Sequence, residues 1–385
     1  MSSLQQQIAT LRAEAYKVFP EMDLAVTSIL VGFLSRQNTM LYGKPGVAKT
    51  ALVTALANSF TNAIFFHKAM NKQQPLEDIF GPLSPSKLIS QDLFMRNTAN
   101  RAPEADFILL DEVGRASDTI LDSLLELFNE GTFENGGVRQ KARRMSGVCT
   151  SNSILAGNAS GHEAFLDRVL CRVDVQDPVM LESWKYILKM KGSPKLQTAI
   201  AVEDLALMQQ EVSEVSVPDS IFNLLVNIKD RFMEEGLRIS PRRARQTIEA
   251  LKAYAYLEGE SEVLPDHYEL VAKTFWDVPK DATVIQKIVL EIAAPKQAEI
   301  VALMDDVRSK VTTLGAPPSA TAASEIRSLW GTRCTDIQTE INRTSQALRE
   351  IPGSKSALAI DELGAIESDL RLKLQTMFGF GTGGV

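Results

Sequence analysis

Leu4, Ile8, Leu11 and Ala15 recur at helical spacing, so the chain opens on an amphipathic helix. Pro20 interrupts it, and a second helical run is expected over residues 22–36. The pattern then changes. Thr39-Met40-Leu41-Tyr42 reads as a short buried strand ended by Gly43-Lys44-Pro45-Gly46, and a helix is expected from Lys49 to about Asn58. Residues 63–66, 107–110 and 154–156 are the further strand candidates, with helical segments between them. Strands alternating with helices imply an α/β fold, with a parallel sheet covered on both faces.

Beyond about residue 180 the strand signal disappears. Helices are expected over 205–212, 221–232, 241–257 and 267–275, punctuated by Glu235-Gly236 and Glu258-Gly259. The stretch from Gly315 to Ser324 is rich in Pro, Ala and Ser and reads as a linker or exposed loop. After it, Ile326, Leu329, Ile337, Ile341 and Leu348 form one helical stripe. Ile360, Leu363, Ile366, Leu370 and Met377 form another, with Pro352-Gly353 turning between them, so a helical hairpin is expected. A chain of 385 residues has room for two to three domains. They are expected at 1–190 (an N-terminal helix and the α/β core), 191–290 (all-helical) and 291–385 (a helical hairpin or bundle).

Composition narrows the function. With 41 basic against 48 acidic residues and a net charge of −7, the chain is not a general polyanion binder, which argues against nucleic acid as its main partner. The basic run Val138-Arg139-Gln140-Lys141-Ala142-Arg143-Arg144 still leaves room for a local contact with polypeptide or nucleic acid. Cys149, Cys171 and Cys334 lie far apart, as do His67, His162 and His267, so neither a disulfide framework nor a zinc site is expected. The first residues lack a basic segment followed by an apolar core, so no signal peptide is expected. The longest near-apolar stretch, Leu24 to Leu34, is well short of the about 20 residues a membrane span needs. A cytoplasmic protein without membrane insertion is the expectation.

Two motifs carry chemistry. Gly43-Lys44-Pro45-Gly46-Val47-Ala48-Lys49-Thr50 follows a strand and opens a helix, the setting a phosphate-binding loop needs. Its backbone N–H groups can turn inward on phosphate oxygens at a helix N-terminus, Lys49 can reach the β- and γ-phosphates, and Thr50 can offer its hydroxyl to Mg²⁺. Ala48 stands where the usual pattern has glycine, and its methyl group is expected to require a negative φ. About 60 residues on, the apolar run Phe107-Ile108-Leu109-Leu110 ends in Asp111-Glu112. Side chains alternate along a strand, so Asp111 can support the Mg²⁺ shell while Glu112 faces the γ-phosphate and activates water. ATP and Mg²⁺ are therefore the expected cofactors.

In order and spacing the two motifs resemble those of the AAA+ ATPases, and finer features resemble the MoxR group. Those features are Pro45-Gly46-Val47-Ala48-Lys49, and the segment Leu124-Leu125-Glu126-Leu127-Phe128-Asn129-Glu130-Gly131-Thr132-Phe133. Glu77-Asp78-Ile79-Phe80-Gly81-Pro82-Leu83-Ser84 is similar to the RavA branch (regulatory ATPase variant A). The resemblance covers about residues 18–275. It implies an AAA+ core, an all-helical lid and a C-terminal helical region. It implies a polar sensor at the end of the fourth strand: Asn158 matches best, with Asn152 as rival. Phe165-Leu166-Asp167-Arg168 resembles the segment ending in the arginine finger, which acts on a neighbouring subunit's γ-phosphate; Arg172, four residues on, is the alternative. Ser240-Pro241-Arg242-Arg243 matches the start of the lid helix, with Arg242 as second sensor.

The resemblance further implies a homo-hexameric ring that hydrolyses ATP to remodel a partner protein in a chaperone-like way. Family members act with partners carrying a von Willebrand factor A domain, which this sequence does not itself contain. A DNA-dependent motor and a nucleotide-gated assembly scaffold are the competing expectations.

Overall fold

The computed structural model describes residues 2–143, 146–153, 164–319, 321–351 and 354–378. They form two compact units, one built from 1–178 with 190–293 and the other from 179–189 with 294–385.

The first unit is organised by a five-stranded parallel sheet. Its strands are β1 (Thr39–Tyr42), β2 (Phe65–Ala69), β3 (Phe107–Asp111), β4 (Ser146–Ser151) and β5 (Cys171–Asp174), in the spatial order β2-β3-β4-β1-β5. Thr39 lies opposite Val148 on one side and Cys171 on the other, so β1 runs in register between β4 and β5. The helix Asp23–Ser35 is buried on all sides from Ala25 to Leu34, because it lies inside this unit rather than on its surface. Phe33 packs against Phe107 of β3 with the rings tilted, at a centroid separation of 4.4 Å.

β4 lies outside the expected strands. The expected strand at 154–156 falls outside the described residues, and the strand beside β1 comes eight residues earlier. Its sequence, Ser-Gly-Val-Cys-Thr-Ser, is small and polar, yet all six residues are buried. Close packing explains the composition. A Cβ at Gly147 would come within 2.6 Å of the Phe128 ring, so the helix Asp118–Glu130 can lie on this strand only if the residue is glycine.

The same unit continues as helices: Val202–Ser213, Asp219–Glu234, Pro241–Glu258, Tyr268–Thr274 and Ala282–Ala293. Pro241–Glu258 begins with a side-chain cap. The Ser240 hydroxyl accepts the Arg243 N–H at 3.1 Å, with Pro241 at the first position where its missing N–H costs nothing.

The second unit packs Pro295–Leu314, Ser324–Glu350 and Ser354–Phe378 around Val307, Cys334, Leu348, Leu363 and Leu370. The short helix Leu181–Lys189 joins this unit: Met180 packs against its core, and the Leu181 N–H donates to Asp369 Oδ1 at 3.2 Å. Ile326 and Leu329 are exposed; the buried stripe of Ser324–Glu350 runs instead through Trp330, Cys334, Ile337, Ile341 and Leu348. Among the described residues no helix is long and apolar enough to cross a membrane.

Candidate active site

Parallel strands present their carboxyl ends to one side, and three loops meet there. The phosphate loop leaves β1, the acidic pair ends β3, and Asn152 follows β4 directly. Gly43 has a φ of +146°, and a Cβ there would lie 2.2 Å from the Val175 carbonyl oxygen, so the loop turns beside the chain leaving β5 only because the residue is glycine.

Lys49, first residue of its helix, is buried. Its ammonium donates to the carbonyls of Gly43 at 2.7 Å and Lys44 at 2.9 Å, and to Asn152 Oδ1 at 2.9 Å. Burial pushes its pKa down, while Glu112, Asp111 and Asp174 pull it back up. Pro45, Gly46 and Ala48 are exposed on the loop, and Val47 is buried beneath it.

Ala48 reverses the expectation drawn from its methyl group. It adopts φ 60° and ψ 20°, the left-handed region, as the residue before the helix. That conformation costs a non-glycine residue about 1–2 kcal/mol, and an exposed loop leaves the methyl group room. Ala48→Gly is expected to raise stability by about 0.5–1 kcal/mol, the strain released less the extra unfolded-state entropy of glycine. Chemical denaturation of the two proteins measures it.

The Thr50 hydroxyl donates to Asp111 Oδ2 at 2.9 Å, and the Thr150 hydroxyl donates to Asp111 Oδ1. His67 Nε2 lies 3.8 Å from Asp111 Oδ2. Glu112 also has a left-handed backbone, with φ 57°, and its N–H donates to Thr150 Oγ1 at 3.2 Å. Its carboxylate accepts from the Asn152 amide and sits 3.6 Å from Arg115. Asn152 thus bridges Lys49 and Glu112. Asn158 lies outside the described residues. His67, Thr150 and Asp174 were not singled out from the sequence; Asp174 ends a strand that went unread, and Thr150 lies inside another.

The predicted arginines lie elsewhere. Arg168 precedes β5, and its backbone carbonyl accepts from the Asn38 amide at 2.8 Å, next to the first residue of β1. It therefore stands at the amino end of the sheet, separated from the phosphate loop by the length of β1, about 13 Å for four residues. Arg242 stands beside it: its guanidinium pairs with Asp167 at 2.7 Å, and the Ser240 hydroxyl donates to the same carboxylate at 2.9 Å. Burial, then the like charge of Arg242, lowers the pKa of Arg168.

Arg172, the alternative to Arg168, stands in a different setting. It lies on β5 rather than on a helix, is buried, and donates to the carbonyls of Trp276 and Leu166 and to Asp277. Arg243 is buried as well, 2.7 Å from the same Asp277 and 3.7 Å from the Phe275 ring centroid.

The basic run at 138–144 has two of its described cations, Arg139 and Arg143, paired within the fold. It forms a hairpin strand, Val138–Lys141, in which Arg139 pairs with Glu126 at 2.7 Å and Glu130 at 3.2 Å. Arg143 pairs with the fully buried Asp106 at 2.6 Å.

A parallel sheet with its phosphate loop and acidic pair at the carboxyl ends, followed by a helical lid, defines a P-loop nucleotide-binding protein of AAA+ type. Residues 6–216 match the family model described as the MoxR domain in the MoxR-vWA-beta-propeller ternary systems, and residues 220–289 match an AAA lid domain. The chain belongs to the MoxR family of AAA+ ATPases.

Among its relatives, the uncharacterized protein MJ0079 of Methanocaldococcus jannaschii is 33% identical over 296 residues, 76% of each chain. The uncharacterized protein MJ0812 of the same organism is 30% identical over 86% of each chain. Chaperone MoxR1 of Mycobacterium tuberculosis is 26% identical over 66% of this chain and 70% of its own. A crystal structure from Cytophaga hutchinsonii, described as a candidate ATPase, shares the fold with a TM-score of 0.60. It is 20% identical, over 74% of this chain and 94% of its own. The matching family model is that of the ternary-system branch, where residues 77–84 had led to an expectation of the RavA branch.

Proposed function

We propose that this chain hydrolyses ATP at a site shared between two copies in a homo-hexameric ring, and that the cycle remodels a protein partner. One observation carries the reading. Lys49, Thr50, Asp111, Glu112 and Asn152 are hydrogen-bonded into one constellation at the carboxyl end of the sheet, while Arg168 and Arg242 stand together at its amino end. A single copy holds both halves but cannot join them across its own strands.

The residues fit Mg²⁺. Thr50 and Asp111 offer two adjacent hard oxygens, and Mg²⁺ is usually held by one or two protein oxygens plus phosphates. Bound there, the ion supplies charge neutralisation on the phosphates. The chain does the rest. Gly43 to Ala48 wrap the phosphates with backbone N–H groups, Lys49 lends its charge, and Glu112 takes the proton of the attacking water. We assign the sensor to Asn152 rather than Asn158, because its amide holds Glu112 and its carbonyl holds Lys49. Arg168 and Arg242 then act together on the triphosphate of the next copy, so Arg242 does not close on its own nucleotide.

A partner with a von Willebrand factor A domain is the one we favour, since the matching family model is described for MoxR domains in systems with vWA and beta-propeller proteins. That description also leads us to place the chain in this branch rather than the RavA branch. The internal pairing of Arg139 and Arg143 weighs against a DNA motor. Lys49→Ala is expected to abolish binding of Mg-ATP and turnover, whereas Glu112→Gln should keep binding and lose turnover. Undiminished hydrolysis in Lys49→Ala would overturn the assignment.

A further inference from the structure

β4 brings more to the site than the asparagine that follows it. Thr150, two residues before Asn152, is fully buried on the middle strand of the sheet. Its neighbour Cys149 lies opposite Leu110 of β3, so Thr150 stands level with the acidic pair that ends β3. One hydroxyl makes two contacts there. It donates to Asp111 Oδ1 and accepts the Glu112 N–H at 3.2 Å.

Each contact settles something that the strand alone leaves free. The last torsion of an aspartate is broad, so hydrogen-bond partners decide where its two oxygens point. With Oδ1 committed to Thr150, Oδ2 is turned to the Thr50 hydroxyl at 2.9 Å, and these are the two oxygens that fit Mg²⁺. Glu112 has φ 57° and ψ 40°, a left-handed backbone that a residue other than glycine adopts against strain. The bond from its N–H to Thr150 holds that turn, and the Asn152 amide holds the carboxylate at the far end. Both ends of Glu112 are thus fixed from one short stretch of chain. Valine has the shape of threonine and suits a buried strand as well, so packing does not account for the hydroxyl.

We infer that Thr150 is a positioning residue for the reaction. Its hydroxyl aims Asp111 at the ion and sets the turn that brings Glu112 to the attacking water. The inference rests on the roles given above to Asp111 and Glu112, and adds a residue that no motif marks.

The test compares wild type with Thr150→Val, Thr150→Cys and Thr150→Ser, a series of similar size in which the donor runs from none through weak to full. A fluorescent ATP analogue reports binding with and without Mg²⁺, and phosphate release reports turnover. In Thr150→Val, binding without Mg²⁺ is expected to match wild type, because Lys49 and the phosphate loop are untouched. The gain in affinity on adding Mg²⁺ should shrink. The kcat should fall about tenfold or more, the scale of a lost hydrogen bond to a charged group. Thr150→Cys should lie between, and Thr150→Ser should recover most of both losses, an order that packing alone would not produce. Should Thr150→Val not fold, the difference between the cysteine and serine variants carries the same comparison. Wild-type Mg²⁺ dependence and turnover in Thr150→Val, or a serine variant no better than the cysteine one, would overturn the positioning role. Glu112→Gln is measured alongside: full turnover there would overturn the role of Glu112 itself, and the inference with it.

Discussion

Arg168→Ala is expected to cut ATP turnover by about 10³-fold or more, with ATP still bound at the phosphate loop. The size follows from what an arginine supplied by a neighbour does: it meets charge that develops on the γ-phosphate only as the reaction proceeds. Binding is spared because Lys49, Thr50 and the loop backbone belong to the other end of the sheet. The structure also says how Arg168 is held. Asn38 fixes its backbone, and Nη1 donates to the Ala164 carbonyl at 2.5 Å. Its Nε is buried without a partner among the described residues. Arg242→Ala should weaken turnover less, and should leave Asp167 with Ser240 as its remaining side-chain donor.

Asp277→Ala is expected to destabilise the first unit by about 3 kcal/mol, the low end of the range for breaking a buried pair. The carboxylate compensates two guanidiniums, Arg172 from β5 and Arg243 from the lid helix, whose side chains are 1% and 5% exposed. Asp277 itself is 60% exposed, so water replaces part of what is lost, and this sets the low end. For a unit of this size the melting temperature should fall by roughly 5 °C, read by thermal unfolding. An unchanged melting temperature would show that the arginines do not depend on it.

The pH dependence has a definite sign. Burial alone would raise the Asp277 carboxyl, but Arg243 and Arg172 outweigh it and hold its pKa below the usual carboxylate value. Its contribution is therefore complete above that ordinary value and is lost as pH falls through the lower, folded-state one. Asp277→Asn should lack this part of the acid sensitivity. Arg243 is pushed by burial down to about 9, and so remains charged at neutral pH.

The strongly apolar strands were legible. Thr39–Tyr42 and Phe107–Asp111 stand where the hydrophobic runs put them, and the motifs attached to their ends came with them. β4 was missed because its residues were selected for smallness under Phe128 rather than for hydrophobicity. The apolar run at 154–156 drew the sensor expectation to Asn158, whereas the described strand ends at Ser151, next to its rival Asn152. β5 was missed because four residues containing Arg172 and Asp174 do not read as a buried strand. Its arginine is paid for by Asp277, about a hundred positions away, and no local pattern reports such a partner. The left-handed Ala48 was misjudged for the same kind of reason: spacing identifies a phosphate loop but does not report the strain that a loop tolerates.

The central claim is that one copy's Glu112 works with another copy's Arg168. The most direct measurement mixes Glu112→Gln with Arg168→Ala subunits and follows phosphate release. Each variant alone should be inactive. In the mixture, an intact Glu112 meets an intact Arg168 at some interfaces, so turnover should reappear and peak near equal proportions. Mixtures that stay as inactive as either variant, under conditions where the two subunits demonstrably assemble together, would contradict the account.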